Sequence, residues 1–343
     1  MFVNPLVDYL FIGGGITLPI FALIYLLPSL TPVSGDIPVR TFIAINAAHF
    51  AASTVRLYTK PGARQEFPFL SWVFPLLCFA LVGLGLYWPR AGGHIKALYF
   101  TWSPFHYAAQ TYGLAVMYAM RSGARLDREE KRQIWLVCLL PFVYSFFTTQ
   151  MGGLFWFVSL DTLLAHPISA AAYRTIVAVL VAAVLLVPIS LFWQMRRMGR
   201  TRVPLISLLL QITNGVWWIG SDYLNAWFWT AILHSVQYLI IVTIRHVDDH
   251  VVHAAGERRL RPVLLHGTAF YGFSLAVGYV LFFIAPSVYA AFGFSGVESY
   301  AMMTMVINLH HFVVDGFIWR APRASQVQDA RSIEPALAEV VGI

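Results

Sequence analysis

Charge is scarce in this chain. Asp, Glu, Lys and Arg make up 11% of its 343 residues, where a soluble domain carries about 25%, so water is not the medium its surface is built for. Cysteine is scarcer still. Cys78 and Cys138 are the only two, each inside an apolar segment, which excludes a disulfide framework and a cysteine-built metal site. Any metal must then be held by nitrogen and oxygen. The phosphate-cradling G-x-x-x-x-G-K-[ST], a G-x-G-x-x-G after a strand and a serine-hydrolase elbow are also missing, leaving nucleotide binding and serine hydrolysis without support.

Apolar and aromatic residues fill the space. Together the hydrophobic types reach 59%, with Phe 26, Tyr 16 and Trp 11, a load suited to interfacial belts and to a pocket for a long apolar molecule. The net charge of +7 comes from short basic clusters between apolar runs, which suit anionic lipid headgroups and argue against nucleic acid. The opening MFVNPLVDYLFIGGG has no basic segment of the kind that precedes a cleavable signal peptide, so it reads as a first span.

Runs of about twenty apolar residues predict an all-α, polytopic bundle of about ten membrane helices near 9–29, 41–58, 67–88, 97–120, 134–157, 174–194, 204–220, 222–245, 265–290 and 298–319. A tight turn is expected at Ser221 and Asp222, and the glycines at 13 to 15 read as packing residues within the first span. Sorting the 23 Lys and Arg residues into alternate loops places all but Arg40, Arg90, Lys96 and Arg174 on one side. Positive residues stay cytoplasmic, so both termini are expected inside, in a multi-pass protein of the bacterial inner membrane. The expected domains are a bundle over 1–320 and a cytosolic tail over 321–343.

Histidine is the conspicuous polar residue within the spans. His49, His106, His234, His310 and His311 fall well inside the second, fourth, eighth and tenth runs, about 12–20 Å from the outer end at 1.5 Å per residue. Each belongs to a polar stripe at helical spacing: Asn46, His49, Ser53, Arg56; Tyr99, His106, Gln110; Trp227, Thr230, His234, Gln237; Thr304, Asn308, His311, Asp315. Such stripes turn toward a bundle interior. Neutral imidazole is the commonest nitrogen ligand, so these five histidines are candidate metal ligands. His310 and Asp315 are candidate catalytic groups, and Gln110, Gln237 and Asn308 are candidate cofactor-binding groups. The alternative for any one of them is an interhelical hydrogen bond; shared depth and direction on four helices favour a metal.

Two further histidine patterns stand in the sequence. The stretch RHVDDHVVH sets His246, Asp249, His250 and His253 on one helical face, similar to the histidine boxes of membrane fatty-acid desaturases and hydroxylases. Those families use several boxes on different segments, and here one stands alone, which reads as a solvated amphipathic extension. The adjacent His310 and His311 are similar to the paired copper ligands of haem-copper oxidases, but the further His-x-His of that family is not found.

The resulting expectation is a membrane metalloenzyme, an oxygen-dependent oxidoreductase (hydroxylase, desaturase or oxygenase) acting on a lipid or other apolar small molecule with the help of an electron donor. Non-haem iron is the expected cofactor, with haem or copper as alternatives. The other readings are a haem protein passing electrons or reducing a gas, and a His/Asp proton-coupled transporter. The topology generates a direct prediction. Fused after Ile343, a fluorescent reporter that folds only in the cytoplasm should shine and a periplasmic phosphatase should stay inactive; the opposite pair of readouts would refute the inward C-terminus.

Overall fold

The computed structural model of the chain describes residues 4–27, 41–197, 203–252 and 260–319. Among them the regular structure is helical, and long helices lie at each of the ten apolar runs. The first, α1, is broken into Pro5–Ile12 and Thr17–Leu26, bent by 46°. Then come α2 (Ala48–Thr59, entered through a π-helical turn Phe42–Ala47), α3 (Phe69–Tyr87), α4 (Pro89–Arg121) and α5 (Arg128–Thr148). The second half holds α6 (Pro167–Arg197), α7 (Leu205–Tyr223), α8 (Trp227–Val251), α9 (Arg261–Ala291) and α10 (Gly296–Ile318). The expected C-terminal tail and His253 lie outside the described residues.

Local chemistry sets the boundaries. Asp127 and Glu130 form a reciprocal capping box that starts α5 six residues before the apolar run. Pro89 opens α4, where its missing N–H costs nothing. The turn expected at Ser221 and Asp222 falls instead at 224–226. Ser221 keeps helical geometry by bonding back to the Trp217 carbonyl at 2.7 Å and pairing with Thr230 at 2.9 Å, and Asn225 takes the left-handed turn at φ 52°. The first run is not one straight helix either. Gly14 sits at φ 75° with Thr213 against it, and the freed carbonyls of Ile12 and Gly13 accept from Gln237 and Thr213. Side chains of other helices thus meet the backbone groups that the break exposes.

Five helices, α3, α6, α8, α9 and α10, are long and apolar enough to cross a membrane, or six if the bent α1 is one span. Their burial differs. On α3 and α6 only 22% of the apolar window is buried, against 56% on α8 and 61% on α10. Leu76, Leu186 and Leu265 are more than 60% exposed, and a continuous apolar skin of this kind is stable against lipid and not against water. α8 and α10 are therefore central, and α3, α6 and α9 peripheral.

Contacts fix the relative directions. His49 packs on Tyr238 while Asn46 meets Ser235; Tyr107 stacks on His234 while Gln110 meets Gln237; Ser53 meets His311 while Lys60 meets the Ile318 carbonyl. Residue numbers rise together in each pair, so α2, α4, α8 and α10 run parallel. Against them α7 is antiparallel to α4, since Ser207 meets Ala115 and Trp218 meets Tyr107.

A close approach holds α2 in place. A Cβ on Gly278 of α9 would stand 2.6 Å from the Ala47 carbonyl oxygen and 3.2 Å from the Ala48 nitrogen, backbone atoms that cannot swing aside. His49 is the next residue. Gly278→Ala should therefore cost about 1–3 kcal/mol, the usual penalty for overpacking, read as a lower denaturation midpoint in detergent. A variant as stable as the wild type would show that α2 and α9 do not meet backbone to backbone.

Candidate metal centre

The parallel helices bring together four of the five histidines that the apolar runs hold. His49, His106 and His311 can each offer one ring nitrogen, and these atoms all lie within 4.8 Å of one another. The Nε2 atoms of His106 and His311 are 3.3 Å apart. Two nitrogens bound to one ion at about 2.1 Å, with an angle between 90° and 110°, stand about 3.0–3.4 Å apart, so this pair already has chelating separation. His49 and His311 are completely buried and His106 is 6% exposed. The site is dry.

The serines decide which nitrogen faces the centre. Ser53 Oγ lies 3.3 Å from the Phe50 carbonyl oxygen and 2.9 Å from His311 Nδ1, and a serine that gives its hydrogen to the carbonyl accepts from the ring. That pairing suits His311 with its hydrogen on Nδ1 and a lone pair at Nε2. The same logic operates on α2. Ser235 Oγ donates to Asn46 Oδ1 at 2.8 Å and lies 3.0 Å from His49 Nδ1, an arrangement that suits His49 with its hydrogen on Nδ1. Its Nε2 has no hydrogen-bond partner among the described residues. Fixing a ligand's tautomer through its outer nitrogen is how metal sites orient histidine. Two lone pairs facing each other at 3.3 Å would repel. Either His106 carries a hydrogen on Nε2, or a cation stands between the rings.

His234 completes the cluster as a neighbour. Its ring is 5.0 Å from that of His49 and 5.7 Å from that of His106, it stacks on Tyr107 at 3.6 Å, and its Nε2 is unpartnered. Asp315 lies one turn beyond His311, with Oδ2 3.7 Å from His311 Nε2 and Oδ1 accepting from the Tyr238 hydroxyl at 2.6 Å. Phe312 stacks on His106 at 4.5 Å. The other sequence candidates go elsewhere. His310 stacks on Phe74 of α3 at 5.1 Å, Gln110 donates to Gln237 at 3.0 Å, Gln237 donates to the Ile12 carbonyl, and Asn308 donates back to Thr304 of its own helix at 2.7 Å.

The cluster at the end of α8 is built differently. His246 and His250 stack at 4.2 Å with His266 of α9 beside them. Both ring nitrogens of His250 face carbonyl oxygens, those of His246 and Thr59, so neither aims a lone pair at a shared centre. Asp249 is held by Arg56 at 2.9 Å. Lys60, at the end of α2, has its pKa lowered by burial and then by the nearby Arg56.

Sequence reasoning missed Ser235 and Tyr238, although Ser53 stood in the α2 stripe. Ser235 follows His234 directly, and its role is visible only once α2 is laid beside α8. The chain matches no known protein family, no curated protein and no solved structure. Its function has to be read from its own geometry.

Removing either serine hydroxyl should free an imidazole to adopt the other tautomer. Ser53→Ala and Ser235→Ala should each weaken metal affinity by about 10–100-fold, measured by competition with a chelator on the purified protein. Wild-type affinity in both variants would mean that the hydroxyls do not orient the ligands.

Proposed function

We propose that this protein is a multi-pass membrane metalloenzyme in which His49, His106 and His311 hold a redox-active ion, iron foremost, that activates dioxygen to oxidise an apolar molecule. One observation carries the reading. Three imidazoles from α2, α4 and α10 converge within 4.8 Å in a buried interior, two of them with the outer nitrogen within hydrogen-bond distance of a serine hydroxyl. Three neutral nitrogens leave coordination positions open, as a centre that must bind both oxygen and substrate requires.

The stoichiometry names a partner. Placing one oxygen atom of O2 into a C–H bond and reducing the other to water takes two electrons and two protons beyond those of the substrate, so a separate electron donor is part of the reading. Asp315, 3.7 Å from His311, is the acid placed to pass protons, and the lipid-facing flank of the bundle is the side from which an apolar substrate would come. All ten helices crossing the bilayer, with both termini on the cytoplasmic side, belongs to the same proposal; the parallel run of α2, α4, α8 and α10 supports it.

Haem fits less well. Each of the four imidazole rings contacts two of the others, with centroids between 4.6 and 5.7 Å, and the width of a macrocycle does not fit between any of these pairs. Proton-coupled transport by broken helices works through paired breaks in two repeats. Among the described residues only α1 is broken in this way.

Metal analysis of protein purified from membranes tests the proposal. The expected result is about one iron per chain, no Soret band, and loss of the metal in the His49→Ala, His106→Ala, His311→Ala triple variant. Equally little metal in both proteins would overturn the reading. Iron-dependent oxygen uptake that rises with an apolar substrate and a reductant would establish the oxidase chemistry, and its absence in iron-loaded protein would remove it.

A further inference from the structure

A second group of buried polar atoms lies beside the triad, and hydrogen bonding within the protein leaves it unsatisfied. Asn214 of α7 is completely buried, and neither its Nδ2 nor its Oδ1 has a partner among the described residues. On the same helix Gln211 Oε1 and Trp218 Nε1 are also without partners, as is Gln110 Oε1 on α4. These positions share one level of the bundle. Ser207 meets Ala115 and Trp218 meets Tyr107, so the antiparallel register sets Gln211 and Asn214 opposite Gln110. The stripe Ser207, Gln211, Asn214, Trp218, Ser221 repeats at steps of four, three, four and three, as one helix face does.

This group borders the histidines. Tyr107 packs on Trp218 at 5.2 Å and on His234 at 3.6 Å, and Gln110 is one turn beyond His106 along α4, about 6 Å at 1.5 Å per residue. Buried amides and indole N–H groups find partners in native proteins. Orphaned donors and acceptors on two adjacent helices at one level mark a place suited to a polar guest.

The chemistry of the guest follows from what lines the place. Asn214 offers two N–H hydrogens and a carbonyl oxygen, Trp218 one N–H, Gln211 and Gln110 carbonyl oxygens. No lysine or arginine is among these groups, which disfavours a carboxylate or phosphate, and the N–H donors disfavour a bare cation. The buried carboxylate of Asp8 is already engaged by Tyr118. We infer that Asn214, Trp218, Gln211 and Gln110 bind the neutral hydrogen-bonding end, a hydroxyl or carbonyl, of the apolar molecule whose chain lies at the His49, His106, His311 centre. The inference rests on the metalloenzyme reading for the role of the triad, but the binding site itself stands on its own atoms. It gives the oxidation a direction: with its polar end held at the level of Gln110, the substrate presents carbons a few bonds away at the level of His106.

The test uses full-length protein in lipid nanodiscs and three radiolabelled probes of one chain length: 1-hexadecanol, hexadecane and palmitate. The wild type should retain the alcohol at least tenfold better than the alkane or the carboxylate. Asn214→Leu and Trp218→Phe, which keep the packing and remove the hydrogen-bonding atoms, should each lose most of that preference while keeping wild-type metal content. The His triple variant should lose metal and still prefer the alcohol, so a failure of the metal reading and a failure of this one give different results. Equal retention of alcohol and alkane by the wild type, or tightest retention of palmitate, would overturn the inference whether or not the variants fold. So would an unchanged alcohol preference in both folded variants.

Discussion

An imidazole that donates its Nδ1 hydrogen to a serine already donating elsewhere has no freedom left. The proton cannot move to the other nitrogen without leaving a buried hydroxyl facing a lone pair, and in a medium without water nothing else can repair the loss. His49 beside Ser235 and His311 beside Ser53 are both placed for this arrangement. The arrangement of the centre depends on it. Rotate either ring, or shift its hydrogen, and the convergence of three nitrogens becomes a stack of aromatic side chains like those found throughout this bundle.

The surrounding packing maintains that state. Both serines have to stay where they are, which requires α2 to keep its register against α8 and α10. Gly278 permits α9 to press α2 backbone to backbone, Asn46 accepts from Ser235, and Lys60 reaches the last turn of α10 at 3.3 Å. The π-helical turn before His49 adds to this, because a widened turn re-aims the side chains that follow it. Each constraint is individually modest, and together they hold a ring nitrogen within the tolerance that chelation demands.

How much of this could be read from the sequence depends on whether the signal is local. Apolar runs of twenty residues locate helices because the bilayer thickness sets their length, and polar residues at steps of three and four locate the inward face. Those two rules carried His49, His106, His234 and His311 to one layer. They could not separate His310 from His311. Neighbours on a helix diverge by about 100°, and which of the two turns inward is decided by Phe74, a residue more than two hundred positions away. The break in α1 was hidden for a similar reason: three glycines allow a bend, but Thr213 and Gln237 from distant helices satisfy the exposed carbonyls. Asn214 gave no signal either, since a lone asparagine in LLQITNG resembles any helix-pairing amide until its partners are sought and found wanting.

The two histidine clusters of the chain show why ligand type alone predicts little. His246 and His250 stack at 4.2 Å with His266 about 6 Å from both, and the desaturase-like spacing of RHVDDHVVH made them the more familiar pattern. Yet carbonyl oxygens of His246 and Thr59 occupy both nitrogens of His250, and the Arg56 guanidinium holds Asp249, the carboxylate of the same stretch. At the His49, His106, His311 cluster the outer nitrogens of His49 and His311 lie beside hydroxyls and one nitrogen of each of the three rings converges on the centre. Metal competence is thus a property of what the second nitrogen of each ring is doing. In a chain with so few charges, that choice is made by serine, and it is made twice.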